Sequence, residues 1–526
     1  MRQFWFRFVC GSMLLMLLTP AALAEGRAKY FVLVVWDGMR PDFVSPELTP
    51  VLWSLRQQGV WFANHHAAYP SSTEVNGTVL ATGVFPEHSY ILANTEYRPD
   101  IDPLQPVASQ SLLTVRRGDE ISGGKYIAVP TVAERLRARN ETTAVVGAKE
   151  VALLHDRQMR GDDSSSPVWF AEGCLPPSRL PALTNLLGVF PVAASPNIGR
   201  DQWAARCLTE AFWGDHPPRY SMLWLSEPDY SQHEHGPGSP AAVEAIRNCD
   251  DRLGAVLQAL ERRGLRAETD IIVVSDHGFS AIGANCDVAA SLRASGFNAR
   301  AKWEQPPKPG DVMVVGNGGS VLLYVIGRSP AVISNVVTTL QQQSFSGVIF
   351  TRAGLPGTFP LAEVKVGGPD APDIIVSTRW TRRPAPNEHP YIEVFNDGYP
   401  EYSAGGGMHV TLSPTDLHNT CVAAGPDFLA GVADSLPSGN VDIAPTLLYL
   451  MNVPTERPLD GRVLKEALNG TDATLGKVEL GRRDASVGLP EGTWEQHLNF
   501  IELNGVSYLD EGNGAYRVKP GTTLEH

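Results

Sequence analysis

Three short apolar runs in this 526-residue chain each break off into acidic or histidine residues. Phe31–Trp36 runs into Asp37, Ser221–Ser226 into Asp229 and His233, and Ile271–Ser275 into Asp276 and His277. A strand buried on both faces of a parallel sheet reads as a continuous apolar run, and open α/β sheets carry their sites just beyond the carboxyl ends of such strands. Three runs of this kind point to one sheet with one reactive edge. Hard oxygen ligands and imidazoles delivered there together look like a metal site. Between the first two runs, Ser71-Ser72-Thr73-Glu74-Val75-Asn76 is a hydroxyl-rich turn opening a helix. A metal beside a positioned hydroxyl points to attack on a phosphoryl-type centre.

The rest of the chain repeats strand and helix. Strand Tyr30–Trp36 leads to a helix that Thr49 can cap, with Pro50 in its first turn and Gly59 at its close. The helix opened by Thr73 ends near Gly83. A polar loop is expected over about 90–125, then a helix over 130–139, then strand Thr143–Gly147 followed by Lys149. Residues 157–200 are rich in Pro, Ser and Gly and read as surface loops. Ser239 and Pro240 start a long amphipathic helix with Val243, Ile246, Leu253, Val256, Leu257 and Leu260 on its apolar side. This alternation predicts an α/β fold with a doubly wound, mostly parallel sheet. Residues 284–404 break the rhythm and read as an inserted cap subdomain, with strands at Val321–Ile326 and Val348–Thr351 and a helix over Pro330–Gln343 capped by Ser329. The core resumes at Gly405–His409, and after about Asn469 a β-like alternation predicts a small C-terminal extension. The expected organisation is therefore a leader at 1–24, a core at 25–283 and 405–468, an insert at 284–404 and an extension at 469–526.

The leader has a basic start (Arg2, Arg7), an apolar centre at Met13–Leu18 and a small-residue cleavage site at Ala22-Leu23-Ala24. It reads as a cleaved signal peptide, which predicts a secreted or periplasmic protein with no stable membrane insertion. Five cysteines follow it, with no CxxC pair and hence no thiolate zinc cluster. An oxidising compartment permits disulfides, and Cys174 with Cys207, flanking a Pro-rich stretch, is the expected pair. The formal charge of −14 argues against nucleic acid polymers and anionic membranes as partners. It still admits a small phosphorylated substrate, because two divalent cations reverse the local field.

Singly, each candidate residue has a common structural role. An Asp at a strand end usually caps a turn, and a His after glycines usually sits in a loop. Together they make a set. Asp229 and His233 are spaced i, i+4, which brings them together on a helical turn, with His235 as a competing ligand. His409 follows Gly405-Gly406-Gly407-Met408, where glycines allow close backbone approach. Thr73 is the candidate nucleophile. A helix start directs N–H groups toward a bound phosphate, and the weakly nucleophilic hydroxyl needs activation. Asn76, one turn on, can donate to a non-bridging oxygen. Mixed Asp/His ligands accept zinc, manganese or iron.

The chain resembles the alkaline phosphatase superfamily, in its nucleotide pyrophosphatase/phosphodiesterase branch, the type I phosphodiesterases. The resemblance rests on Val-Val-Trp-Asp-Gly at 34–38, Thr-Glu-Val-Asn-Gly-Thr-Val-Leu-Ala-Thr-Gly at 73–83, Glu-Pro-Asp-Tyr-Ser-Gln-His at 227–233, Ser-Asp-His-Gly at 275–278 and Asp-Ile-Ala-Pro-Thr at 442–446. It implies two zinc ions, one on Asp37, Thr73, Asp276 and His277, the other on Asp229, His233 and His409. It further implies that Thr73 becomes transiently phosphorylated or nucleotidylated, and that Asn76 matches the oxyanion-contacting Asn. Three departures stand out. Val410 follows His409 where the family pattern has Gly. Glu74-Val75 replaces a Phe-Pro whose aromatic ring helps form the nucleotide-base pocket. Lys149 resembles a lysine of phosphonoacetate hydrolases that grips an anionic substrate group, its alternative role being a solvated surface charge. A phosphonate or phosphomonoester hydrolase is therefore the second enzymatic expectation, and a catalytically silent, metal-stabilised binding protein the non-enzymatic one. The formylglycine signature of sulfatases is absent at the nucleophile turn, and the leader disfavours a phosphoglycerate mutase.

Overall fold

The three apolar runs become neighbouring parallel strands. The structure, a computed structural model, describes residues 26–519 apart from 163, 172, 386–388, 472–473 and 475, so the leader read at 1–24 lies outside the described residues. Among the described residues, nine strands form the principal sheet. They are β1 (Tyr30–Trp36), β2 (Val60–Phe62), β3 (Thr143–Gly147), β4 (Val168–Phe170), β5 (Gly173–Leu175), β6 (Tyr220–Leu225), β7 (Thr269–Val274), β8 (Cys421–Ala424) and β9 (Val432–Asp434). Their spatial order is β9-β2-β8-β7-β1-β6-β3-β4-β5. The run β7-β1-β6-β3-β4 is parallel throughout, while β8 and β5 are antiparallel to β7 and β4. Trp36 pairs with Leu225 and Val35 with Val274, so the three strands end level with one another.

Alternation along β1 explains the two layers. Phe31, Leu33 and Val35 belong to one apolar cluster, and Val32, Val34 and Trp36 to the cluster on the other face. Each such side chain, once removed from water, contributes roughly 1.5–3 kcal/mol. Four helices matter for the site or its frame: α1 (Pro50–Gln58), α2 (Thr73–Thr82), α3 (Asp229–His235) and α4 (Pro240–Arg262). Every residue of α2 is buried. Gly77 makes this possible, since a Cβ there would stand 2.5 Å from Val151 Cγ2 and 3.3 Å from Trp224.

Among the described residues, three further sheets of three or more strands accompany the core. Within 299–378 a six-stranded sheet includes Val312–Gly316, Ser320–Val325 and Ser346–Thr351. Ser280–Asn285 lies in a four-stranded sheet with Gly407–Met408 and Tyr391–Asn396. Glu479–Leu489, Gly492–Leu503 and Val506–Val518 form an antiparallel three-stranded sheet at the C-terminal end. No helix of the described residues is long and apolar enough to cross a membrane.

Several local expectations are corrected. Residues 157–200, read as surface loops, supply β4 and β5 and the helix Leu180–Leu187. Those strands are three residues long, too short for any period to show. The polar loop at 90–125 contains the helix Leu112–Ser122, capped by Ser111 on Thr114 N. Gly118 lets this helix pack closely, because a Cβ there would sit 2.1 Å from Tyr126 Cδ2. Thr49 occupies the N-cap of α1 without capping it. The first-turn amides of Val51 and Leu52 are taken instead by Asp250 of α4 at 2.9 and 2.8 Å. Ser329 makes no side-chain cap either. The five described cysteines are free thiols, so the expected Cys174–Cys207 bond is not formed.

Candidate functional site

The level ends of β1, β6 and β7 bring Asp37, Asp229 and Asp276 to one point. Asp229 N donates to Asp37 O at 3.1 Å, and Gly38 N donates to Asp276 Oδ1 at 3.0 Å. All three carboxylates are buried. One oxygen of each is held by the protein. Asp37 Oδ2 accepts from Trp224 Nε1 at 2.7 Å and pairs with Lys149 Nζ at 2.9 Å, and Asp229 Oδ2 pairs with the same ammonium at 2.8 Å. The second oxygen of each, Asp37 Oδ1, Asp229 Oδ1 and Asp276 Oδ2, is buried without a hydrogen-bond partner.

Three imidazoles face those oxygens. His277 Nε2 lies 3.2 Å from Asp276 Oδ2 and 3.5 Å from Asp37 Oδ1, and His233 and His409 present Nε2 to Asp229 Oδ1 at 3.3 and 3.6 Å. Each ring is oriented from behind by a backbone carbonyl. Nδ1 of His233 donates to Gly407 O at 3.0 Å, that of His277 to Gly278 O at 2.9 Å and that of His409 to Ser71 O at 2.8 Å. A proton fixed on Nδ1 leaves a lone pair on Nε2, which is how a metal-ligating histidine is prepared. The rings of His277 and His409 stack at 3.7 Å, so the two groups of ligand atoms adjoin. Asp229, His233 and His409 form one cluster, and Asp37, Asp229 and His277 another, with ligand atoms within 4.8 Å in each.

Thr73 completes the arrangement at the first residue of α2, with Oγ1 3.3 Å from His277 Nε2. Thr73, Asn94, Lys149, Asp229, His233 and His409 line one cavity of about 170 Å³, with Tyr230, Tyr399 and Tyr402 on its other walls. Tyr402 stacks on the His233 ring at 4.7 Å. His235 points elsewhere, its Nε2 at 3.1 Å from Ser195 Oγ.

The electrostatics show a site short of positive charge. Three buried carboxylates share one ammonium, so burial favours their protonated forms unless further cations are bound. Burial, then Asp229 and Asp276, drives the Asp37 carboxyl well above its usual range. Burial likewise pushes Asp276 up to about 8. Burial also opposes the Asp229 charge, but Lys149 and His233 beside it hold that group well below the usual range. Burial lowers His277 to about 3 and depresses His409, keeping both imidazoles neutral. Neutral Nε2 donors opposite unpartnered carboxylate oxygens fit divalent cations, and mixed Asp/His donors suit zinc.

Two expected residues stand differently. Asn76 is not among the residues lining the cavity, and its side chain is spent on the protein. Its Nδ2 donates to Ala68 O at 3.0 Å and Ser72 O at 3.2 Å, while Oδ1 accepts from Ala68 N and Asn440 Nδ2. The residue shapes the turn before Thr73 rather than offering a donor to the cavity. Asn94, not anticipated from the sequence, lines the cavity instead. Its Oδ1 accepts from Glu74 N at 3.1 Å, and among the described residues Nδ2 has no hydrogen bond. No motif marks Asn94, since it reaches Thr73 by a loop folding back over α2. Lys149 is not a solvated surface charge, being 16% exposed between two carboxylates.

Both departures next to ligands carry a structural consequence. Val410 adopts φ +76°, a conformation that a β-branched residue rarely takes and that a glycine would take freely. It is held there by Ser320 Oγ donating to its carbonyl at 2.5 Å. Glu74 is buried, with one carboxyl oxygen unpartnered, and burial raises its pKa to about 7.

Comparison with known proteins agrees with this geometry. Residues 31–391 match the family described as type I phosphodiesterase/nucleotide pyrophosphatase. Ectonucleotide pyrophosphatase/phosphodiesterase family member 1 of Mus musculus is 25% identical over 284 residues, 53% of this chain and 26% of that protein. The venom phosphodiesterase of Naja atra is 23% identical over 260 residues, 48% of this chain and 26% of that one. The matched chain thus spans about a quarter of the length of these curated relatives. Among solved structures, murine ectonucleotide pyrophosphatase/phosphodiesterase 5 superposes with a TM-score of 0.60 at 16% identity, over 84% of this chain and 100% of the other. An inactive threonine-to-alanine form of that protein in complex with AMP gives 0.59 at 15% identity, again over 84% and 100%. The fold is therefore alkaline phosphatase-like.

Proposed function

Because the chain belongs to the type I phosphodiesterase/nucleotide pyrophosphatase family, we propose that it is an exported, metal-dependent hydrolase that cleaves phosphodiester or pyrophosphate bonds of small phosphorylated substrates through Thr73. Asp37, Thr73, Asp276 and His277 would hold one zinc ion, and Asp229, His233 and His409 the other. What carries this reading is the convergence of three unpartnered buried carboxylate oxygens with three imidazole nitrogens, each freed for ligation by a backbone carbonyl on its far side. Bound there, two such ions would stabilise the attacking and leaving oxygens of an in-line displacement.

The chain's own residues supply the rest. Thr73 Oγ1 forms a bond to phosphorus as the bond to the leaving oxygen breaks, and water then hydrolyses the phosphorylated or nucleotidylated threonine. The N-terminal end of α2 is directed at the phosphoryl group, with the Glu74 amide held by Asn94 Oδ1. Asn94 takes the role expected of Asn76, donating from Nδ2 to a non-bridging oxygen. The rings of Tyr230, Tyr399 and Tyr402 give the cavity the flat walls that a nucleobase needs.

A second reading has one observation in its favour. Lys149 is the one lysine or arginine among the cavity-lining residues. An ammonium there suits a substrate with an added anionic group, as in a phosphonate or a phosphomonoester. Rates on bis-p-nitrophenyl phosphate, ATP, p-nitrophenyl phosphate and phosphonoacetate, with and without chelator, separate the readings. Chelator-sensitive turnover fastest on the diester or ATP is the expected result. No chelator-sensitive turnover of any of the four would leave a metal-stabilised binding protein.

A further inference from the structure

The described residues hold a second group of metal-ligating side chains, outside the Thr73 cavity. His66, His418 and Asp510 each offer one ligand atom, and the three atoms lie within 4.8 Å of one another. They come from three parts of the chain. His66 lies in the short strand His65–His66 ahead of the nucleophile turn, His418 follows the helix Pro414–Leu417, and Asp510 belongs to the C-terminal strand Val506–Val518.

His66 is prepared as a ligand in the manner of the three histidines around Thr73. Its Nδ1 donates to Ser438 O at 3.0 Å, which leaves the lone pair on Nε2. That Nε2 is buried and has no hydrogen-bond partner, in a residue only 2% exposed. It stands 3.8 Å from Asp510 Oδ1, beyond hydrogen-bond reach. His418 Nε2 approaches the same oxygen at 2.9 Å. The two rings lie 4.5 Å apart and tilted by 53°, both edges turned to one carboxylate. An imidazole lone pair and a carboxylate facing one another across a gap too long for a hydrogen bond repel unless a proton or a cation lies between them. Asp510 has these two imidazoles as its ion-pair neighbours. Among the described residues no lysine or arginine pairs with it.

We propose that His66, His418 and Asp510 form a third divalent-cation site, which takes zinc or a similar borderline metal through two imidazole nitrogens and one carboxylate oxygen. Its remaining position faces solvent on the side of Asp510. Such an ion pins the C-terminal sheet to the two core segments that carry Thr73 and His409, beside the bond from Tyr508 OH to Asp442 Oδ2 at 2.8 Å. The inference does not depend on the catalytic reading.

Native mass spectrometry of the zinc-loaded chain tests it by counting ions. Wild type, His418→Gln, Asp510→Asn and a double variant of the main site, Asp229→Ala with His277→Ala, are compared after checking each by circular dichroism. Each of the first two variants should hold one zinc fewer than wild type. The double variant should keep one zinc that is lost when Asp510→Asn is added. Asp510 is about a third exposed, so its variant stays informative should His418→Gln fail to fold. Equal zinc counts in wild type and Asp510→Asn, or a double variant whose zinc count does not respond to Asp510→Asn, would overturn the site.

Discussion

The imidazole of His409 donates from Nδ1 to the backbone carbonyl of Ser71 at 2.8 Å, across 338 positions of sequence. One hydrogen bond thereby sets the ligand face of the histidine and fixes the turn that presents Thr73, two residues on. Nucleophile and ligand are positioned by the same contact. Thr73→Ala should therefore abolish turnover while leaving the turn and the zinc content close to wild type. Thr73→Ser should retain part of the rate. Initial rates on bis-p-nitrophenyl phosphate beside metal analysis check this, and near-normal activity of the alanine variant would remove Thr73 from the mechanism.

The two asparagines should separate by readout. Asn94→Ala removes an oriented donor from the cavity wall and should lower kcat by roughly 10²-fold or more, while freeing the Glu74 amide should cost only about 1 kcal/mol of stability. Asn76→Ala strips partners from Ala68 and Asn440 inside the protein, and should cost about 2 kcal/mol or more of stability. Steady-state kinetics paired with urea melts reads both. A large kcat loss in Asn76→Ala without destabilisation would reverse the assignment.

Gly278→Ala probes the packing beneath His277. An added Cβ would lie 2.0 Å from Thr415 O and 2.7 Å from His418 O, both backbone atoms that cannot swing aside. A loss of about 3 kcal/mol is expected from such overpacking. The urea midpoint measures it, and an unchanged midpoint would mean that the loop shifts freely.

The strand ends could be read from sequence because buried parallel strands are apolar along their whole length, so the polar residue that ends each run marks the edge of the sheet. That is why Asp37, Asp229 and Asp276 were recognisable, with His233 and His277 beside them. Asn94 was not, because its place depends on a loop returning over α2 and no local pattern encodes that return. The cap of α1 was missed for a related reason. Thr49 is the local choice, but Asp250, 199 positions from Val51, does the capping. Short strands such as β4 and β5 leave no period to read. Val410 shows the opposite case, in which the break from the family pattern was visible and its backbone consequence was not.

A pair of carboxyls at the far end of β7 predicts a pH dependence of stability. Burial, then Asp427, raises Asp270 to about 8 from an ordinary 3.8. The folded state thus binds this proton more tightly than the unfolded state does. Its stabilising contribution is full below about pH 4 and is lost as pH rises toward 8. Asp270→Asn should flatten the dependence and add about 2 kcal/mol at pH 8.5 relative to wild type. Urea melts at pH 5 and 8.5 test this, and parallel pH dependences in the two proteins would contradict it.

The central claim is that Asp37, Asp276 and His277 on one side, and Asp229, His233 and His409 on the other, hold two cations beside Thr73. The most direct measurement is an anomalous difference map at the zinc edge from crystals of the zinc-loaded protein. Two adjacent peaks between those side chains, flanking Thr73 Oγ1, are the expected result. A map with no density there, and those carboxylates and imidazoles paired among themselves, would contradict the account.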